Sequence, residues 1–120
     1  MGILPAVFRA LYFYFVDGKE ILAMYAEHKD TFLEIVYEVA NADYSVEMEA
    51  IETQLAFENF VEDSIDWKLE LNKRLGILKG RRFLDLARKF LSESGISIAS
   101  RVINIFKELA YNEWMAIHDS

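Results

Sequence analysis

Seven basic residues crowd between positions 73 and 89: Lys73, Arg74, Lys79, Arg81, Arg82, Arg88 and Lys89, with Asp85 the one acid among them. Guanidinium and ammonium groups clustered on a helix face and its leading loop neutralise phosphates and release condensed counterions, so this run is a candidate nucleic-acid contact. The rest of the chain pulls the other way. Residues 1–70 hold 15 acids and 4 bases, residues 71–120 hold 5 acids and 9 bases, and the whole carries a net charge of −7. A chain of that sign is repelled by polyanions at long range. Its two oppositely charged portions can instead attract one another, within a bundle or across a dimer.

The acids themselves offer a second chemistry. Glu49-x-x-Glu52 and Asp63-x-x-Asp66 supply hard oxygen ligands of the sort Mg²⁺ takes. They resemble the carboxylate pairs of all-α nucleotide pyrophosphohydrolases of the MazG type, a resemblance that implies Mg²⁺-dependent hydrolysis between facing helices. This chain departs from that pattern in starting the second pair with Asp. Both pairs are also expected on one helix, where fourteen residues place them roughly 20 Å apart, too far to share an ion. No Glu-x-x-His pair is present for a ferritin-like centre. The chain has no cysteine, which excludes thiolate metal sites, disulfides and cysteine nucleophiles. No P-loop, glycine-rich phosphate loop or Ser/His/Asp set is found. Of the two histidines, His28 sits between Tyr25 and Phe32 on an apolar seam and is expected to be a packing residue whose ring nitrogens meet a carbonyl or a tyrosine hydroxyl; His118 lies in the tail. The expectation is a chain without metal, cofactor or catalytic residues.

Leu91 to Asn104 resembles a helix-turn-helix on the surface, with Gly95 at the turn. Its register fails, because Arg101 and Ser94 then occupy positions that such a motif buries. The aromatic run Tyr12-Phe13-Tyr14-Phe15 exceeds what one helix face can bury, and surplus aromatics often anchor interfaces. These four residues, with part of the long third segment, are the expected interface for a homo-oligomer or another protein partner.

Helical spacing positions these groups. A chain of 120 residues, 53% hydrophobic with one proline, suits one helical domain with a real core. Pro5–Val16 is expected as a first helix, although Asp17-Gly18 between apolar runs is also a hairpin signal. Over Lys19–Ala42, Ile21, Tyr25, His28, Phe32, Ile35 and Val39 recur at intervals of four and three, with Glu27, Asp30, Glu34 and Glu38 opposite. A long central helix is expected from an N-cap at Ser45 to Arg74, roughly 44 Å if unbroken, or bent near Asn59 or Ser64. Its wide apolar arc (Phe57, Phe60, Val61, Ile65, Trp67, Leu69, Leu71) implies packing on two sides. Gly76–Gly80 reads as a loop. Arg81–Glu93 should bury Phe83, Leu84, Leu86, Ala87, Phe90 and Leu91, stopping at Ser94-Gly95. A last helix, capped by Ser97, should run along Ile98, Val102, Ile105, Leu109 and Ala116, flanked by Phe106 and Ile117.

The fold class that follows is all-α, an up-and-down bundle of four to five helices with one long central helix. The most apolar stretch, Ile3–Val16, contains Arg9 and falls short of the ~20 residues a bilayer core needs. It also lacks the basic leader of a signal peptide, so a cytoplasmic protein without a membrane partner is expected. One glutamine and five asparagines hint at a thermophilic source. The function expected is a non-enzymatic, self-associating interaction protein. The alternative is a small nucleic-acid-binding protein using residues 73–89, and the third reading is the Mg²⁺-dependent pyrophosphohydrolase.

Overall fold

The computed structural model describes residues 18–118. Among them are four helices, α1 (Gly18–Asn41), α2 (Ser45–Phe57), α3 (Ile65–Glu93) and α4 (Ser100–His118), and no strand. The fold is therefore an all-α bundle. The expected helix over Pro5–Val16 and the aromatic run Tyr12 to Phe15 lie outside the described residues. Helix α1 already begins at Gly18, so Lys19–Tyr25 does not form the second strand of a hairpin.

One core joins α1, the C-terminal half of α3, and α4. Phe32, Phe83 and Phe106 are fully buried there, with Val36, Val39, Ala87, Leu91, Ile103 and Ala110 around them. Phe32 is the hub: its ring stacks on Phe106 at 5.0 Å between centroids and on Tyr25 at 6.0 Å, and meets Phe90 edge-on at 6.3 Å. The α1 seam is as the spacing predicts except at its middle. His28 has φ −113° and ψ 15°, interrupting the helix, and its half-buried ring lies edge-on to Phe90 at 5.4 Å. In α4 the buried seam is Val102, Ile103, Phe106 and Ala110, while Ala116 and Ile117 are exposed. That seam is rotated from the expected one, and the helix starts at Ser100 instead of directly after a Ser97 cap. Ala99 supplies the first carbonyl, accepting from Val102 and Ile103.

The long helix is real but displaced along the chain. The expected helix Ser45–Arg74 breaks at residues 58–64, and the expected loop Gly76–Gly80 is helical, inside the 29 residues of α3. Two local signals make the break. Asn59 takes φ +71° just past α2, with its N–H bonded to Ala56 and that of Phe60 to Leu55. This is a Schellman stop with asparagine in the left-handed position that glycine usually fills. Ser64 then caps α3, its hydroxyl accepting from the Trp67 N–H at 3.1 Å, with Asp66 in the first turn where the helix dipole favours it. The glycines at 76 and 80 only weaken a helix, by about 1 kcal/mol each, and their neighbours carry it through. Ser45 is likewise not a cap: it is the first helical residue, and the Asp43 carboxylate accepts its N–H at 2.9 Å. At the other end of α3, Gly95 (φ +77°) does provide the expected stop, with the Gly95 N–H on Ser92 and the Ile96 N–H on Leu91.

Candidate docking surface on the helical arm

Among the described helices, α2 touches α3 alone. It runs back antiparallel along the first half of α3: its end residue Glu58 meets Arg74, while Ile51, earlier in α2, lines a groove of about 310 Å³ with Arg74, Ile77, Leu78 and Arg81. The pair forms an arm standing off the three-helix core. Leu55 and Trp67 are buried but stand apart from the main core, a small second core between α2 and α3. Tyr44, at the turn before α2, ties arm to body. Its hydroxyl donates to the Val39 carbonyl at 2.6 Å, and Lys79 and Arg82 sit over its ring at 5.2 and 5.9 Å. Burial, more than any neighbouring charge, pushes its phenol pKa up.

The arm carries the most exposed of the large apolar side chains. Phe57 is 83% exposed, Ile65 77%, Val61 72% and Leu69 64%. The sequence pattern had these residues packing on a second side of the long helix; the structure leaves that side open. Along α3, Ile65, Leu69, Asn72, Gly76, Gly80, Phe83 and Ala87 recur at intervals of four and three, which is one continuous face. From Phe83 onward α1 and α4 cover it. From Ile65 to Gly76 no described residue does: all four residues are exposed, and an added Cβ at Gly76 would meet no atom within 4 Å.

The seven basic residues do not form one patch. Arg74 is engaged by two carboxylates, with both Nη atoms on Glu58 at 2.7 and 2.8 Å and Nε on Glu70 at 3.0 Å. These hydrogen bonds push its pKa up and that of Glu58 down. Lys79 and Arg82 cover Tyr44, and Arg88 donates to the Ser100 hydroxyl. At 100° per residue the seven spread over about two thirds of the helix circumference. Lys73, Arg81, Arg82, Arg88 and Lys89 are exposed.

The carboxylate pairs fall on separate elements, Glu49 and Glu52 on α2, Asp63 in the connection and Asp66 on α3, not on one helix as expected. Among the described residues no three His, Asp or Glu side chains gather as a metal site requires. The acid drawn into a tight contact is another, Glu113, which accepts from the Tyr25 hydroxyl at 2.8 Å and pairs with Lys29. That pairing with Lys29, then Tyr25, depresses the Glu113 pKa, whereas burial raises that of Tyr25. Residues 94–99, which separate α3 from α4, exceed the three- or four-residue turn of a helix-turn-helix.

Among the described residues no helix is long and apolar enough to cross a membrane. Comparison of the chain with protein-family models, with curated proteins and with solved structures gives no match.

Proposed function

We propose that this chain is a non-enzymatic assembly module in which a three-helix body holds out a helical arm as its docking surface. The observation that supports this is the apolar side chains the arm leaves exposed, Phe57, Val61, Ile65 and Leu69, the last two on one open face of α3. Small proteins rarely leave contiguous apolar area bare unless something covers it in use. The test is the native mass of the chain in extract of the cells that make it. The expected result is a complex heavier than the 14.0 kDa chain that collapses when Ile65 and Leu69 are both changed to Ser, with helicity retained. A chain that runs as a monomer in that extract ends the proposal.

A second reading draws on the exposure of Lys73, Arg81, Arg82, Arg88 and Lys89: binding of single-stranded or duplex nucleic acid. Its test is oligonucleotide binding across a salt series. Binding that weakens steeply with salt and is lost in the Arg81→Glu/Arg82→Glu variant supports it. No binding at low salt ends it.

A further inference from the structure

We infer that the occupant of the arm's open face is a second copy of this chain, its α3 lying antiparallel across the first about a two-fold axis near Asn72 and Lys73. This inference rests on the assembly reading and specifies its partner. Two features of α3 carry it. The first is continuity: the open face from Ile65 to Gly76 prolongs the stripe that α1 and α4 bury from Phe83 onward, so it is a core face lacking its cover.

The second is shape. Two large side chains, Ile65 and Leu69, are followed along the same face by Gly76 and Gly80, where none projects. An antiparallel partner sets Leu69 over Gly76 and Ile65 over Gly80, knob into gap, in both directions at once, as an isologous interface demands. At Gly80 the nearest atom to an added Cβ is the Lys107 Nζ at 3.3 Å, the free end of a flexible side chain that can swing aside.

The test uses the purified full chain. Light scattering at about 100 µM is expected to give twice the 14.0 kDa chain mass. Because the chain has no cysteine, single spin labels can be placed at will. Labels at Lys73→Cys, near the axis, should lie within about 20 Å of each other across helices packed 8–10 Å apart. Labels at Ser92→Cys should lie roughly 60 Å apart. Gly76→Leu should raise the dissociation constant at least about tenfold while helicity is retained. Short distances at both labels, or a Gly76→Leu variant as dimeric as the parent, overturn the antiparallel pairing. A purified chain that stays monomeric also overturns it. If the same chain nonetheless forms a heavier complex in cell extract, the assembly reading stands with another protein as occupant; if it does not, both fall.

Discussion

The body and the arm use the same helix differently. In the body, the α3 stripe of Phe83, Ala87 and Leu91 is closed over by α1 and α4, and aromatic rings stack about Phe32. In the arm, α2 covers another side of α3, and the stripe itself is left open from Ile65 to Gly76. The body is held by buried apolar area. The arm depends more on its caps and on one ion-paired arginine, because only Leu55 and Trp67 form its interior. The difference teaches that hydrophobic periodicity locates a face and leaves open whether the chain itself covers it.

The two tryptophans allow the regions to be followed separately, since Trp67 lies in the arm and Trp114 packs against the body core. The largest effect is expected for Phe32→Ala, which empties the centre of the body and should cost roughly 3–5 kcal/mol in urea unfolding. Both tryptophan signals should then shift together, because α3 runs through both regions. Ser64→Ala removes the α3 cap and should cost about 1 kcal/mol, seen in Trp67 fluorescence well before Trp114 responds. Equal shifts in the two signals would erase the distinction between regions.

Gly76→Ala sharpens the comparison because its two expected effects have opposite signs. The site is helical and open, so alanine should stabilise the fold by about 0.4–1 kcal/mol, while the added methyl fills the gap that pairing uses and weakens association. A variant more stable and equally associated would argue against an interface there.

The smallest effect is that of acid. Glu58 in the arm, bonded to Arg74, and Glu113 in the body, bonded to Lys29 and Tyr25, both titrate below the ordinary 4.5. Each therefore contributes stability that is complete above its unfolded pKa and is lost as pH falls through its folded value. Acid titration of the Trp67 signal should lose its low-pH component in Glu58→Gln, and that of Trp114 in Glu113→Gln.

The body could be read from the sequence with some fidelity. Tyr25, Phe32, Ile35 and Val39 at intervals of four and three mark α1, and Ser94-Gly95 marks the end of α3, because burial there follows the helical period and glycine meets a true left-handed position. The arm could not be read so well. Gly76 and Gly80 look like a loop, yet neither has positive φ, while Asn59 and Asp63 do. Ser64-x-x-Trp67 held the cap signal that the nearby Ser45 obscured. The basic run looked like one patch because closeness in sequence hides the angle each residue takes around the helix. Glu58, the partner that engages Arg74, lies sixteen residues earlier on another helix, beyond any local pattern. Of the expected interface, Tyr12 to Phe15 lie outside the described residues, and the wide apolar arc of the long third segment does not tell which of its sides stays open.

Hydrogen exchange along α3 at about 100 µM and after dilution to about 1 µM tests the central claim most directly, since added cover raises the local opening free energy. The expected result is that amides of residues 65–76 lose protection on dilution while those of residues 83–91 keep theirs. Protection that is unchanged with concentration along the whole helix, or lost from the body and the arm together, would contradict the assignment of the open arm face as a docking surface between copies.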